Sequence, residues 1–453
     1  MINKDNLTLI NKSKAQGYDF ILKSPYKILP ITFFFLCLFG GILLTLPISG
    51  PHGVSFLDAL FTSVSAVCVT GLTVVSTGGD YNNFGQFIIL FLIQSGGLGI
   101  MSISSIIFIL LGKRMSLSHE KTARSIFDAN SKEEIKESLI LIFKYTFFIE
   151  LIGALILSLS FAITENSLFY GLKLGIFTSV SAFCNAGFFL KDTNLLTYSN
   201  NPIITYTVSF LIILGGISPV ICLMLRNIFK GKKLPPIAVI VFNTTLALLL
   251  GGTLFFLISE FNGVLQGMSL FQKINNAWFQ SATSRTAGFN TVDLANINAG
   301  TFILMIMLMI AGGSPGGTAG GIKTGTIGVL ALCCYNAIRG RENIIRNRNI
   351  TSETIQKAIT LTILYLFVLL LSVLMLITTQ TIKPAHLVFE AASALGTVGL
   401  SMGATPHLDE IGKIIIIITM FMGRVGPATL LCYINAKHNT SRISYPDTKI
   451  SLT

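Results

Sequence analysis

The chain has 453 residues, of which 52% are hydrophobic and only 11% are charged. Soluble proteins carry about 25% charged residues, so this composition excludes an ordinary soluble protein and also a disordered one. The formal net charge of +12 is compatible with nucleic acid, an anionic membrane surface or an acidic partner.

Long apolar runs are the main signal along the chain. A helix of about 20 apolar residues crosses a bilayer, and the buried helices of a large soluble enzyme would need more charged faces to cover them. We predict eight spans, at residues 28–49, 85–111, 138–163, 203–225, 237–258, 300–338 (interrupted), 358–379 and 411–434.

Basic residues predict the orientation of these spans. Lys and Arg concentrate at both termini and in linkers 112–137, 226–236 and 339–357, whereas connection 50–83 has none. Because cytoplasmic segments are enriched in Lys and Arg, we expect the termini and these linkers to be cytoplasmic. The basic residues lie in separate short linkers, so no nucleic-acid partner is expected.

The external connections contain a fourfold repeat, in which a short apolar run leads to a glycine turn. Each unit contains two spans, so the repeats are parallel and related by an axis along the membrane normal. The alternative is four external loops with ordinary turn glycines. The repeated segments are FLDALFTSVSAVCVTGLTV (56–74), LKLGIFTSVSAFCNAGFFL (172–190), AWFQSATSRTAGFNTV (277–292) and LVFEAASALGTVGLSMG (387–403), with turn glycines Gly71, Gly187, Gly288 and Gly399.

The turns have the properties of a cation path. Irregular backbone at membrane depth is tolerated when it is buried in protein or lines a wet cavity. Successive carbonyls can replace the hydration shell of a cation, and glycine permits the positive φ angles that such a stack requires. The negative C-terminal end of the helix before each turn would also face the cation.

The sixth span is interrupted by a glycine-rich segment, residues 311–321, that contains Pro315. This composition cannot continue a stable helix. A phosphate-binding loop is a poor alternative, because Ile322 separates Gly321 from Lys323. A glycine-rich helix-packing surface is the other alternative.

Four ionisable residues lie within or beside apolar segments. Arg424 is deep in the last span, so we expect it to be paired or to face a cavity, with snorkelling as the alternative. Glu390 is expected to support the fourth turn, and Glu150 to pair within its own span or with a neighbouring one. Arg285 directly precedes the third turn, near the predicted outer face, where a structural pairing with Asp293 or another carboxylate competes with a role in conduction.

The four turns resemble a known family. VCVTGL, CNAGF, RTAGFN and GTVGLS are similar to the selectivity-filter turns of the Trk/Ktr/HKT superfamily of potassium transporters. GGSPGGTAGGIKTGT and GRVGPATL also fit, and the resemblance covers roughly residues 25–435. Within the superfamily the chain is most similar to KtrB-type membrane subunits. The second turn differs from the other three, since Asn185 and Ala186 precede its glycine.

The resemblance implies an all-α polytopic membrane protein with four parallel helix–pore loop–helix repeats around a central pore. It implies inward K⁺ transport by a channel-like path. Such transport involves no covalent chemistry, so the chain is expected not to be an enzyme. A symporter that couples K⁺ to Na⁺ or H⁺ would share the fold. K⁺ is expected at backbone carbonyls of the filter residues Val69, Thr70, Gly71, Asn185, Ala186, Gly187, Thr286, Ala287, Gly288, Thr397, Val398 and Gly399.

The resemblance also implies a gate below the filter, at residues 312–326. Our hypothesis is that Arg424 and this loop form an electrostatic and steric barrier to cations. The expected gate residues are Gly312, Gly313, Ser314, Gly316, Gly317, Thr318, Gly320, Gly321, Lys323 and Arg424.

The expected partners are membrane lipid, a second copy in a homodimer, and a cytoplasmic KtrA-like ring that binds ATP or ADP, with Na⁺ as a stimulating ion. The chain itself is expected to bind no cofactor, and its scattered Cys and His residues indicate neither disulfides nor a metal site. The predicted organisation is a cytoplasmic N-terminus (1–27), repeats 28–111, 138–229, 237–340 and 358–436, and a cytoplasmic tail (437–453).

Overall fold

The computed structural model of the chain describes residues 25–51, 53–99, 132–225, 231 and 233–426. Predictions for residues 1–24, for the ends of the second and last spans and for the tail lie outside these ranges. The described α-helices are α1 Pro25–Thr45, α2 Phe56–Val67, α3 Asn83–Leu98, α4 Lys132–Glu165, α5 Leu168–Phe183, α6 Pro202–Gly216, α7 Pro219–Met224, α8 Pro236–Ser259, α9 Leu270–Thr283, α10 Ala299–Ile310, α11 Thr324–Ile338, α12 Ser352–Thr379, α13 Pro384–Gly396 and α14 Glu410–Val425.

The fold is mostly helical, as expected, and the described part adds one short hairpin. Strands β1 Ile344–Ile345 and β2 Arg348–Asn349 form an antiparallel hairpin in the predicted linker 339–357. The two residues between them, Arg346 and Asn347, both have positive φ angles. A two-residue turn of this kind matches the twist of paired strands.

Three helices of the described part are long and apolar enough to cross a membrane, namely Leu139–Glu165 of α4, together with α8 and α12. Their outer faces expose large apolar side chains; Phe148 of α4 is 64% exposed and Phe367 of α12 is 61% exposed. Exposed apolar surface on this scale is unfavourable in water and favourable in lipid. Seven further apolar helices have only 10–17 residues, so the count of eight spans stays a prediction.

The predicted continuous span 203–225 is wrong, because helix α6 ends at Gly216 and α7 starts at Pro219. Proline has no backbone N–H and glycine is a weak helix former, so the sequence permits a break here. The carbonyls that the break releases are satisfied by a distant segment, since Ser314 N donates to Gly216 O over 2.9 Å and Thr318 N donates to Gly215 O over 3.2 Å.

Helices α2, α5, α9 and α13, here called the turn helices, each end at one of the repeated glycine turns. Three of them are fixed to the preceding helix by the same type of bond. Ser63 Oγ donates to Cys37 O over 2.7 Å, Ser179 Oγ to Glu150 O over 2.7 Å, and Ser281 Oγ to Leu249 O over 2.8 Å. The repeat read from the sequence is therefore also a repeat of contacts.

Each turn helix also contacts the helix that ends the preceding unit. Lys173 of α5 donates to Asn83 Oδ1 of α3 over 2.7 Å, and Trp278 Nε1 of α9 donates to Ser209 Oγ of α6 over 3.1 Å. The remaining contacts are α13 with α10, and α2 with α14. The last of these includes an ion pair of 2.6 Å between Lys413 Nζ and Asp58 Oδ1. The four units therefore follow one another in a closed circle.

Candidate functional site

The four turn glycines meet in a closed ring. A Cβ added to Gly71 would lie 3.0 Å from the Cα of Gly187, and one added to Gly187 would lie 2.9 Å from the Cα of Gly288. A Cβ added to Gly288 would lie 3.2 Å from the Cα of Gly399, and one added to Gly399 would lie 3.0 Å from the Cα of Gly71. The backbones approach too closely for any side chain, which explains why all four positions are glycine.

Backbone carbonyls line the contacts between neighbouring turns. An added Cβ at each glycine would overlap the carbonyl oxygen of the residue that precedes the next glycine of the ring. Four oxygens from four different units are thus held beside the glycines in the same relative place. These oxygens belong to Ala186, Ala287, Val398 and Thr70.

The backbone conformation of the turns repeats as well. Each glycine has a positive φ, at 93°, 70°, 78° and 89° in chain order. The residue two positions earlier is also left-handed in every turn: Val69 at 57°, Asn185 at 59°, Thr286 at 81° and Thr397 at 51°. This conformation is costly for β-branched residues, and its recurrence shows that the surrounding structure imposes it.

A hydroxyl in the last turn of each turn helix holds the segment in place. In the first and fourth units the hydroxyl accepts from the glycine N–H, with Gly71 N to Ser65 Oγ at 3.0 Å and Gly399 N to Ser393 Oγ at 3.1 Å. In the other two it donates to the carbonyl after the glycine, with Ser181 Oγ to Phe188 O at 2.8 Å and Thr283 Oγ1 to Phe289 O at 2.7 Å. Our sequence reasoning missed these four residues, although two lie in the identical FTSVSA segments.

Eight of the twelve predicted filter residues have a side chain, and all eight are buried. Neither the Thr70 nor the Thr397 hydroxyl has a hydrogen-bond partner in the described part of the chain. Asn185 connects two turns: one atom of its amide lies 3.3 Å from Thr286 Oγ1, and the other can donate to Ala182 O and Ile212 O at 3.0 and 3.1 Å. Asn185 of the second turn therefore contacts the third turn through its side chain.

A cavity of about 410 Å³ adjoins the ring on the side of the external connections, and Gly71 and Gly187 form part of its wall. Asp80 and Asp192 also line it. Ser76 joins these carboxylates, since its N–H donates to Asp80 Oδ2 over 2.7 Å and its hydroxyl donates to Asp192 Oδ1 over 2.5 Å. Negative charge next to the ring attracts cations.

Lys191 also lines this cavity, but its charge is compensated. Its Nζ lies 2.7 Å from Glu165 Oε1, and the same carboxylate oxygen accepts from the Tyr198 hydroxyl. Burial lowers the pKa of Lys191, but the bonds with Glu165 and Tyr198 outweigh it and raise the pKa. Lys191 therefore stays protonated at neutral pH and paired with Glu165.

The glycine-rich segment is non-helical from residue 311 to residue 323, and α11 begins at Thr324, inside the predicted range 312–326. The segment returns to its own start, because Ile322 N donates to Ile310 O and Gly312 N donates to Ile322 O, each over 3.0 Å. Within it, Gly316 and Gly321 adopt positive φ angles of 78° and 67°. The result is a compact loop between two helices.

This loop is attached to the ends of other units. Ser314 Oγ in the loop accepts a further hydrogen bond from Ser218 N, in the break after α6, over 2.5 Å. Thr318 Oγ1 donates to Phe183 O, at the end of turn helix α5, over 3.3 Å. A Cβ on Gly320 would lie 3.1 Å from Gly396 O and would overlap Thr397. The loop therefore packs directly against the second and fourth turns.

The structure brings Arg424 to this loop. Its guanidinium donates to Thr318 O in the loop and to Gly96 O in α3. Lys323, at the other end of the loop, donates from Nζ to Ala319 O over 2.6 Å. Both cations are satisfied by backbone carbonyls, so Arg424 neither snorkels nor pairs with a described carboxylate.

Two buried carboxylates bond neutral groups. Glu150 accepts from Gln94 Nε2 on α3 over 3.2 Å, and the Cys184 thiol lies 3.8 Å from its other oxygen. Glu390 accepts from Ser401 Oγ and from Thr405 Oγ1, the latter over 2.6 Å. Glu150 is thus held by α3, and Glu390 holds Ser401, the last residue of GTVGLS, together with Thr405 beyond it.

Arg285 does not occupy the predicted place. The pairing with Asp293 is wrong, because Asp293 accepts from Ala295 N at 3.0 Å and from Asn296 Nδ2 at 2.7 Å. The Arg285 side chain is instead buried, and its Nη1 lies 3.4 Å from Thr245 O in the middle of α8.

Comparison with known proteins gives a consistent result. A family model for a cation transport protein, TrkH, matches residues 8–443. The potassium/sodium uptake protein NtpJ of Enterococcus hirae is 37% identical to the chain, over 95% of this chain and 97% of that protein. The Ktr system potassium uptake protein B of Bacillus subtilis is 36% identical, over 94% and 96% of the two chains. The crystal structure of the potassium transporter TrkH from Vibrio parahaemolyticus is similar in fold, with a TM-score of 0.69 at 20% identity over 90% of this chain and 84% of that one.

Proposed function

The chain belongs to the TrkH family of cation transport proteins, and on that premise we propose that it takes up K⁺ through a channel-like path at the ring of four glycine turns. The family consists of transporters, so the chain is a membrane transport protein and not an enzyme. The observation that carries the proposal is the closed ring, with one carbonyl oxygen beside each glycine. Such oxygens can replace the hydration shell of a cation.

The proposed architecture is eight spans in four parallel helix–pore loop–helix repeats around this path, in the cytoplasmic membrane with both termini inside. It is supported by the circular order of contacts, which ends with the ion pair between Asp58 and Lys413. The repeated backbone conformation of the turns supports equivalent roles for the four repeats. The K⁺ ligands are backbone oxygens of the twelve filter residues, and the acidic cavity beside the ring is the entrance.

The proposed gate is the loop 312–326 together with Arg424. The loop packs against the fourth turn at Gly320, and Arg424 holds it at Thr318 O. A guanidinium in a low-dielectric path repels a cation strongly, and the loop adds a steric obstacle. Movement of the loop away from Thr397 would open the path.

The proposed assembly is a homodimer in the lipid bilayer with a cytoplasmic KtrA-like ring of nucleotide-binding subunits, which would hold ATP or ADP. The names of two relatives as parts of Ktr systems support a multi-subunit transporter. The name of a third, a potassium/sodium uptake protein, supports Na⁺ as a second ion.

The test is ⁸⁶Rb⁺ uptake into liposomes that contain the purified chain, with Na⁺ as competitor. Serine in place of Gly71, Gly187, Gly288 or Gly399, one at a time, should reduce the preference for K⁺ over Na⁺ by about tenfold, because the ring cannot close around a side chain. Gly251→Ser is the matched control, since a Cβ at Gly251 in α8 meets nothing within 4 Å. An unchanged ion preference in all four ring variants would refute the pore assignment.

The same liposomes separate a channel-like path from coupled transport. A channel-like path predicts a reversal potential that follows the K⁺ gradient alone. A reversal potential that shifts with the Na⁺ or H⁺ gradient would instead identify a symporter on the same fold.

A further inference from the structure

The residue three positions before each ring glycine differs in charge among the four turns. These residues are Cys68, Cys184, Arg285 and Gly396. All four positions are buried. Three of them are uncharged, so the third turn alone carries a cation at this register.

Arg285 has no counter-charge in the described part of the chain. No carboxylate there lies within 4.0 Å of its guanidinium, and its one hydrogen bond is from Nη1 to Thr245 O. Its Nε has no partner among the described residues, although the residue is only 3% exposed. A guanidinium keeps its charge in proteins, so an uncompensated positive charge is fixed here.

The position of this charge matters for a cation at the ring. Arg285 follows directly after Ser284, the residue that caps the C-terminal end of α9. The C-terminal end of a helix carries partial negative charge, and all four turn helices direct such ends toward the ring. Arg285 carries a positive charge on the residue that directly follows this end and so opposes its contribution, whereas no such charge follows the ends of α2, α5 and α13.

The corresponding place in the second unit carries no cation. Cys184 occupies the same register as Arg285, and the carboxyl group of Glu150 lies 3.8 Å from its sulfur. A fixed positive charge therefore lies behind the third turn and has no counterpart behind the second.

We propose that Arg285 is an affinity-determining residue, which weakens cation binding at the third turn and so raises the K⁺ concentration that half-saturates transport. This inference rests on the proposed function. It explains why a charge is buried behind a cation path without a partner: the transporter binds K⁺ loosely enough to release it.

The experiment compares Arg285→Gln with Arg285→Lys in liposomes, by the concentration dependence of ⁸⁶Rb⁺ uptake. The Gln side chain retains a donor for Thr245 O but has no charge. It should lower the half-saturating concentration about tenfold, because a unit charge acts over several ångströms at an effective dielectric constant of about 20. The Lys variant should stay within about twofold of the unaltered protein.

A second variant tests the charge without removing the arginine. Thr245→Glu puts a carboxylate on the residue whose carbonyl oxygen lies 3.4 Å from Arg285 Nη1, so it should lower the half-saturating concentration in the same direction as Arg285→Gln. Arg348→Gln, which removes an exposed charge from the hairpin, is the control and should change nothing.

The outcomes separate the two proposals. An unchanged half-saturating concentration with a reduced maximal rate, in Arg285→Gln or in Thr245→Glu, would assign Arg285 a structural role and overturn the inference. If Arg285→Gln does not reach the membrane, Thr245→Glu decides the matter alone. Absence of saturable uptake by the unaltered protein would refute the proposed function instead.

Discussion

The ring of glycines and the loop that packs against it are built in opposite ways. Each unit contributes one segment to the ring, and the four segments share their φ angles, their close approach and their hydroxyl anchors. The loop, residues 311–323, is a long segment between α10 and α11, whereas the break between α6 and α7 in the second unit leaves only residues 217–218 outside the helices. Equivalent segments can surround an ion, whereas a single segment can obstruct a path from one side.

The two regions are also held by different forces. The ring is held by backbone packing and by neutral hydrogen bonds from hydroxyls such as Ser65 Oγ. The loop is held by the broken end of α6 and by a cation, Arg424, which also bonds Gly96 O. A small number of polar bonds can be broken and remade, which supports the proposal that the ring selects the ion and the loop moves.

Among the variants that test the different roles of the ring and the loop, Arg424→Ala should have the largest effect on ion flux. It removes the cation and the bond to Thr318 O together, so ⁸⁶Rb⁺ flux into liposomes should rise on the order of tenfold or more. The preference for K⁺ over Na⁺ should not change, since the ring is untouched. Arg424→Lys keeps the charge and should raise flux less.

The same measurement can contradict this assignment. Unchanged or lower flux through correctly folded Arg424→Ala protein would mean that the guanidinium supports the structure and does not obstruct the path. A changed ion preference would mean that the ring and the loop are not separable.

A smaller effect is expected from Ser314→Ala, which removes the acceptor of the bond from Ser218 N. Loss of one hydrogen bond of this type costs about 1 kcal/mol, so flux should rise about fivefold as the loop detaches from the break after α6. Ser372→Ala is the control: it removes a buried hydroxyl that accepts from Thr419 Oγ1 over 3.0 Å, away from the loop. Equal flux changes in both variants would point to general destabilisation.

The sequence predicted the part of the site that depends on local backbone. Four glycines in repeated contexts indicated turns, and residues 311–321 indicated a broken helix, because glycine and Pro315 impose these conformations wherever they lie. The predicted orientation and the homodimer remain predictions.

The missed features depend on distant partners. The break between α6 and α7 was read as continuous helix, because Gly216 O is satisfied by Ser314, 98 residues further along the chain. A pairing of Arg285 with Asp293 was one alternative from the sequence, but its guanidinium contacts Thr245 O in α8 instead. Neither contact can be inferred from spacing, since both depend on how the units pack.

The smallest expected effect distinguishes the anchors within the ring. Ser65→Ala leaves the N–H of Gly71 without its acceptor, whereas Ser181→Ala removes a donor from the carbonyl of Phe188. A buried N–H without a partner is rarer and more costly than an under-satisfied carbonyl. Thermal unfolding in detergent should therefore show a larger loss of stability for Ser65→Ala, by about 1 kcal/mol. Equal losses in the two variants would mean that the direction of the bond is irrelevant, and that the hydroxyls act through packing alone.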